Sequence, residues 1–137
     1  MLKLLMFDTV KFWYKTFSKT VEQMPMVDKE ETIDDALVIY VNVEKDDEGT
    51  GDKKIRKAAD YIEWLAKKTG RRRIVLHSFA HLSDSKSGVE FAEHTIIAIK
   101  DRLNARGFDA TTTPFGYLLE FNIHVKGESL AKVWKSL

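Results

Sequence analysis

The stretch ALVIYVNV at residues 36–43 is almost wholly apolar and rich in β-branched side chains. This composition is typical of a strand covered on both faces, because a strand with one solvated face alternates apolar and polar residues. We therefore expect this stretch to be the middle of a β-sheet. A second stretch of similar composition, RIVLHSF at residues 73–79, predicts a neighbouring buried strand.

Each of these two strands is followed by an amphipathic pattern. The first helix is expected between a capping Asp52 and a terminating Gly70, and the second over residues 88–106, with Gly107 just beyond its end. Apolar residues recur at helical spacing in both segments. Two consecutive strand–helix units predict an α/β fold in which the helices pack against the sheet.

The N-terminal third of the chain is expected to extend the sheet. Short apolar runs at residues 2–7 and 11–17, separated by Asp8 and Thr9, predict a β-hairpin. The polar residues 18–35 predict a long connection from this hairpin to the central strand.

The C-terminal part predicts two further strands and a terminal helix. Residues 108–113 and 117–125 read as strands joined by a turn at residues 114–116, and residues 129–137 as a short helix. Together these elements predict one α/β domain over residues 1–137, a mixed β-sheet with helices mainly on one face. The alternation within residues 117–125 gives one strongly apolar face, and this face predicts a homodimer.

Composition excludes several classes of function. The chain has 137 residues and no cysteine, which excludes disulfides, thiolate catalysis and cysteine-based zinc sites. No apolar stretch approaches the roughly 18 residues of a membrane span, and the N-terminus lacks a signal-peptide pattern. We expect a cytoplasmic protein without a membrane partner.

Charge gives no global argument for a polyanionic partner, since 22 Lys and Arg residues balance 21 Asp and Glu residues to a net +1. A local basic run at residues 67–73 has two interpretations. In the first, its positive charges stabilise the C-terminal end of the first helix by interacting with the helix dipole. In the second, they contact the phosphates of a nucleic acid.

The histidines are the main candidates for chemistry. His77 and His81 lie at the end of a predicted strand and in the loop beyond it, where open α/β sheets place ligands. Two histidines four residues apart can bind zinc together on a helix, but these two lie on a strand and a loop, and no third ligand is apparent. No metal site is therefore expected. His81 is either a loop residue bonded to backbone or a hydrogen-bonding group, general base or substrate-orienting residue. No serine triad, phosphate-binding glycine loop or HExxH helix is present.

Four motifs in the second half of the chain carry a resemblance to a known family. They are FAHLS at residues 79–83, LNARGF at residues 103–108, PFGY at residues 114–117, and the pairs Lys126-Gly127 and Leu130-Ala131. In order and spacing the chain resembles the N-terminal editing domain of archaeal threonyl-tRNA synthetase. The resemblance is clear from residue 74 onward and weaker over residues 36–45.

The resemblance implies a D-aminoacyl-tRNA deacylase-like fold and removal of serine wrongly attached to threonine tRNA. His81 would take part in catalysis. The aminoacylated 3′ end of the tRNA would lie among Val43, Ala80, Phe115, Gly116 and Tyr117. Hydrolysis by water helped by the ribose hydroxyl would need no cofactor. The implied partners are tRNA, a second copy of the chain, and the catalytic chain or domain of a threonyl-tRNA synthetase.

The sequence also departs from the family at positions that bear on catalysis. Where the family has an aromatic residue and a lysine after PFGY, this chain has Leu118 and Leu119. Lys132 replaces a family glutamate and, with Glu120, is an auxiliary site candidate. Ser78 replaces a proline, and the family's His-Ser-Asp at the first strand's end is replaced by about Phe7-Asp8-Thr9. The expected function is hydrolysis of mischarged seryl-tRNA in cis or in trans; the alternative is a catalytically impaired module that binds adenosine or the tRNA 3′ end.

Overall fold

The computed structural model describes residues 1–137 and contains one six-stranded sheet with two helices. The sheet order is β4-β3-β2-β1-β5, and β6 also pairs with β1. In chain order the elements are β1 Lys3–Lys19, β2 Glu30–Asn42, α1 Lys53–Thr69, β3 Arg73–Ser78, α2 Val89–Ala105, β4 Asp109–Thr112, β5 Tyr117–Val125 and β6 Lys132–Ser136. Two short 3₁₀ turns, Lys45–Asp47 and Ser129–Ala131, complete the secondary structure.

The apolar stretch at residues 36–43 lies in the middle of the sheet, as predicted. Strand β2 pairs with β1 in antiparallel orientation and with β3 in parallel orientation. Residues 36–43 are all buried. Both predicted helices are also confirmed, and α1 ends at Gly70, which has the left-handed φ of 73° that favours glycine at this position.

Both helices pack on the same face of the sheet. The larger core cluster joins apolar residues of α1 and α2 to one side of β1, β2 and β3. A smaller cluster around Phe12, Tyr14 and Tyr40 lies on the opposite, helix-free face. The predicted mixed sheet with helices mainly on one face is confirmed. Neither α1 nor α2 has the length and apolar character of a membrane-spanning helix.

The sheet is curled, and the connection from β4 to β5 shows why. These strands lie at opposite ends of the five-strand order, so a flat sheet would separate them by about 19 Å. The linking residues 113–116 can span only about 17 Å even when fully extended. Curling brings the two edges within reach, and the linker crosses the end of the sheet.

The predicted N-terminal hairpin is wrong, because residues 3–19 form one continuous strand of 17 residues. Asp8 and Thr9 are polar residues of this strand and not a turn. The Asp8 carboxylate is buried and accepts a hydrogen bond of 2.6 Å from Arg71 Nε. The Thr9 hydroxyl donates a hydrogen bond of 2.7 Å to the carbonyl of Ala36. These polar side chains are thus hydrogen-bonded to distant parts of the protein, whereas in a turn they would be hydrogen-bonded to solvent.

The predicted connection over residues 18–35 is too long, since residues 30–35 already belong to β2. Their charges made them resemble a loop. In the sheet, Lys15 lies opposite Glu30 and Lys11 opposite Asp34, so two of the four acidic residues face basic partners on β1. The connection itself is limited to residues 20–29.

The predicted terminal helix is also wrong. Residues 132–136 form β6, which pairs with residues 3–7 of β1. Val133 packs against the helix-side core, whereas Trp134 pairs with Leu5 and is exposed. Backbone hydrogen bonds of 2.8 Å in both directions join Leu2 and Leu137. A helix of this length is weak alone, and an open edge of β1 captures the segment as a strand.

Candidate functional site

A cavity of about 390 Å³ opens at the edge of the sheet where the parallel strands β2 and β3 end. In α/β sheets this carboxyl edge is the usual ligand position, because the loops that leave it are free to vary. The walls come from the ends of these strands, from the loop at residues 79–88 and from residues 114–121 of the β4–β5 linker and β5. The volume is within the range of small-molecule sites, about 300–1,000 Å³.

A buried asparagine at the end of β2 holds the loop at residues 79–88. Asn42 Nδ2 donates a hydrogen bond of 3.1 Å to the carbonyl of Ser85, and Asn42 Oδ1 accepts one of 3.0 Å from the amide of Leu82. Farther along, the amide of Ser87 donates to the carbonyl of Val43 at 2.9 Å. This is why a fully buried polar residue interrupts an otherwise apolar strand.

The opposite wall is a strap, residues 20–29, which crosses the β4–β5 linker. The amide of Thr20 donates a hydrogen bond of 2.7 Å to the carbonyl of Gly116. The Tyr117 hydroxyl donates to the carbonyl of Pro25 and accepts from the amide of Val27, both at 2.7 Å. The strap also covers a second cavity of about 280 Å³ on the other side of Phe115.

The approach of the strap requires glycine at position 116. Its φ of +81° lies in the left-handed region, and a Cβ there would come within 2.7 Å of Met24 Cγ and 3.2 Å of Val21 Cβ. Any other residue would push the strap away from the linker. The glycine of the PFGY motif therefore sets the shape of the cavity wall.

His81 lies at the mouth of the cavity, in the loop that follows β3. Its side chain is exposed and makes no hydrogen bond to the protein, while its ring stands edge-on to Phe79 with 5.0 Å between centroids. The ring thus contacts Phe79, and both ring nitrogens are without a hydrogen-bond partner in the protein and available to a ligand. An imidazole in this state suits proton transfer or hydrogen bonding to a substrate.

His77 also lines the cavity, but it is buried with 5% exposure. Its Nδ1 lies 2.9 Å from the Thr113 hydroxyl, and its ring contacts Tyr40, Phe79 and Phe121. Burial lowers the pKa of His77 to about 4, so the ring is neutral at physiological pH. It forms a rigid aromatic part of the cavity floor.

Comparison with known proteins shows the family to which this chain belongs. Residues 2–137 match the model of the family described as the archaea-specific editing domain of threonyl-tRNA synthetase. The chain belongs to this family. A threonine–tRNA ligase of Methanothrix thermoacetophila is 32% identical over 130 residues, which cover 95% of this chain and 21% of the relative. That of Thermococcus kodakarensis is 31% identical over 115 residues, which cover 82% and 18% respectively.

The editing domain thus spans about a fifth of the length of these curated relatives. A solved structure described as the c-Myc DNA Unwinding Element Binding Protein aligns with a TM-score of 0.70 over 100% of this chain and 99% of its own. At 9% identity the likeness concerns the fold alone. The predicted D-aminoacyl-tRNA deacylase-like fold class is confirmed.

Six of the residues predicted for the site meet around the cavity of this editing domain. They are Val43, Ala80, His81, Phe115, Gly116 and Tyr117. They come from three separate parts of the chain, which the curled sheet brings to one edge. Their roles toward a substrate stay predictions.

The two auxiliary candidates do not line the cavity. Glu120 is exposed on β5 opposite Lys15 of β1. Lys132 Nζ donates hydrogen bonds to the carbonyls of Gly127 and Glu128, at 3.1 and 3.4 Å, and so closes its own turn. Leu119, which the resemblance matches to a family lysine, does line the cavity. Phe7-Asp8-Thr9 lies inside β1 and not at the end of a strand.

The wall residues of the editing domain that were not predicted from the sequence include Thr20, Val21, Lys86 and Ser87. The first two belong to the strap, and its position depends on contacts with residues about 90 positions away. Lys86 and Ser87 lie a few residues after FAHLS, so their nearness to that motif was the available signal.

The basic run lies at the other end of the sheet. Arg73 begins β3 and Ser78 ends it, so the two are separated by about 17 Å along the strand. Its arginines are bonded within the protein: Arg71 to Asp8, Arg72 to the carbonyl of Gly107, and Arg73 to the carbonyl of Asp34. No group of three or more His, Asp or Glu side chains is placed to hold a metal ion.

Proposed function

We propose that this editing domain hydrolyses the ester of serine wrongly attached to threonine tRNA, in cis or in trans. The observation that carries the proposal is the cavity at the carboxyl edge of β2 and β3, where a free His81 stands beside the PFGY linker. Membership in the family supports aminoacyl-tRNA editing. Selection of serine is what the resemblance to the family implies.

The chemistry requires no covalent intermediate. Water adds to the ester carbonyl carbon, the bond from that carbon to the ribose oxygen breaks, and the leaving oxygen takes up a proton. The neighbouring ribose hydroxyl of the tRNA assists the attacking water. His81, with both nitrogens free at the mouth, orients these groups or moves the proton.

A second candidate function is a binding module that holds the tRNA 3′ end or adenosine without turnover. Leu119 favours this alternative, because an aliphatic side chain stands in the cavity wall where the family has an ammonium group. Removal of one hydrogen-bond donor that stabilises the transition state typically lowers kcat by about 10² to 10³. Substrate-assisted hydrolysis would survive such a loss at a reduced rate.

The deciding experiment is deacylation by the purified chain of seryl-tRNA for threonine, compared with threonyl-tRNA and a D-aminoacyl-tRNA. We expect serine-selective release, and we expect His81→Ala to reduce it at least about tenfold with folding intact. His124→Ala is the matched control, since His124 is exposed on β5 and does not line the cavity. No release from any of the three substrates, with retained binding of adenosine, would favour the binding module.

The proposal includes two protein partners. A second copy would cover the helix-free face, where Leu5, Phe7, Phe121, Ile123 and Trp134 form an apolar surface. The catalytic part of a threonyl-tRNA synthetase would supply the mischarged tRNA, as a linked domain or as a separate chain. A cytoplasmic location is part of the proposal, because an editing domain of this family acts in translation.

A further inference from the structure

The mouth of the cavity carries one positive charge that the protein does not neutralise. Among the 20 residues that line the cavity, Lys86 is the only lysine or arginine, and none is an aspartate or glutamate. The Lys86 side chain is exposed, and its ammonium takes part in no hydrogen bond or ion pair of the structure. Other cations near this edge are paired; Lys3 and Lys45, for example, bind Glu44 and Glu48.

The backbone around Lys86 is fixed on both sides. The carbonyl of Ser85 accepts a hydrogen bond from Asn42 Nδ2 at 3.1 Å, and the amide of Ser87 donates to the carbonyl of Val43 at 2.9 Å. Lys86 therefore projects from a defined point of the cavity rim. An unpaired ammonium at the mouth of a cavity without acidic residues favours an anion there.

We propose that Lys86 binds the phosphate that links the terminal adenosine of the tRNA to the preceding nucleotide. This inference rests on the proposed function. A nucleoside with its ester-linked amino acid fills the cavity, so the nucleic-acid chain leaves through the mouth and its first phosphate passes the rim. Lys86 is exposed there, whereas Leu119 is partly buried in the wall. Lys86 thus positions the substrate and does not replace the missing lysine at the ester.

The first test is binding of adenosine and adenosine 5′-monophosphate to the chain at low salt. We expect the monophosphate to bind about three- to fivefold more tightly, the range of one exposed charge pair. Lys86→Ala should abolish this preference and Lys86→Arg should retain it. Lys57→Ala is the control, since Lys57 is an exposed, unpaired lysine on α1 that does not line the cavity.

The second test separates positioning from catalysis. For seryl-tRNA, Lys86→Ala should raise KM by a similar factor and leave kcat unchanged. For 3′-seryl-adenosine, an ester without the phosphate, neither constant should change. A fall in kcat on this ester would overturn the phosphate assignment. Equal binding of adenosine and its monophosphate would also overturn it while leaving the proposed function intact, whereas absence of both nucleoside binding and deacylation would remove the proposed function as well.

Discussion

His77 and His81 are four residues apart in the chain, yet the fold gives them different chemical properties. His77 is enclosed by aromatic rings and bonded to Thr113, so it is neutral and fixed. His81 is past the end of the strand, where solvent and ligands reach it. Only His81 is therefore free to act on a substrate, while His77 maintains the cavity floor.

The burial of neutral His77 predicts a loss of stability in mild acid. Its folded pKa of about 4 lies below the ordinary value of 6.5, so the unfolded chain binds more protons between these values. Stability is therefore full above about pH 6.5 and falls as the pH drops toward 4. From pH 7 to pH 5 we expect a loss of about 2 kcal/mol from this residue.

Denaturant unfolding at both pH values checks this prediction. His77→Gln keeps a hydrogen-bonding side chain but cannot titrate, so it should be less stable at pH 7 and should lose less stability than the wild type on going to pH 5. An equal loss in the variant and the wild type would contradict the assignment to His77.

Removing the Asn42 side chain should destabilise the loop that carries His81. Asn42→Ala leaves the amide of Leu82 without its partner and removes one of the two hydrogen bonds to the carbonyl of Ser85, which keeps the one from the Ser83 hydroxyl at 3.2 Å. This loss should cost about 1–3 kcal/mol of stability. The same variant should lower deacylation. Asn122→Ala, at an exposed position of β5, should change neither the free energy of unfolding nor the activity. Comparable effects in the two variants would contradict the anchoring role.

At the scale of elements, the strap and the β4–β5 linker act together through Gly116. Gly116→Ala places a methyl group 2.7 Å from Met24 Cγ and also forces a residue with a Cβ into a left-handed φ. We expect a loss of about 1–3 kcal/mol and lower activity, because the displaced strap carries Thr20 and Val21 of the cavity wall.

Gly49→Ala separates the cost of the left-handed φ from the cost of the contact with the strap. Gly49 has a φ of +92°, but no atom lies within 4 Å of the point that an added methyl group would occupy, so Gly49→Ala should show only the cost of the left-handed backbone, about 1–2 kcal/mol. Adding Met24→Ala to Gly116→Ala should recover part of the loss in stability. If Gly116→Ala and Gly49→Ala were equally destabilised, the contact with the strap would have no role.

The elements that the sequence predicted well are those with local signals. The central strand, the strand before FAHLS and both helices have an uninterrupted apolar run or a helical period with a glycine at the end. The ends of the chain lack such signals. Asp8 resembles a turn residue until Arg71 is brought beside it, and Val133 and Trp134 resemble a helical stripe until β1 offers an edge. Long-range pairing decided these segments, and no local pattern records it.

At the scale of the whole molecule, the predicted part of the candidate site was the part with recognisable motifs. His81 and the PFGY residues were placed through FAHLS and PFGY. The strap was not, because residues 20–29 contain no motif and reach the cavity only through Tyr117 and Gly116. Glu120 and Lys132 were proposed from sequence position alone, and in the structure both lie outside the cavity lining.

The two exposed tryptophans on opposite faces test the proposed homodimer. Trp134 is 54% exposed on the helix-free face, and Trp64 is 43% exposed on α1. If a second copy covers the helix-free face, Trp134→Glu should convert a dimer to a monomer in sedimentation velocity at micromolar concentration, and Trp64→Glu should leave the dimer intact. A monomeric wild type, or dissociation by Trp64→Glu, would contradict this arrangement.

The pairing of β1 has a consequence for synthesis on the ribosome. The first strand lies between β2 and the last two strands, and Lys3 pairs with Ser136. While the chain is being made, one side of β1 remains an open template until residues 117–136 emerge. Contacts between such distant residues slow folding, and an unpaired strand edge invites association with other chains. The nascent protein is therefore most exposed to aggregation just before residues 117–136 are released, when a chaperone would have the greatest effect on yield.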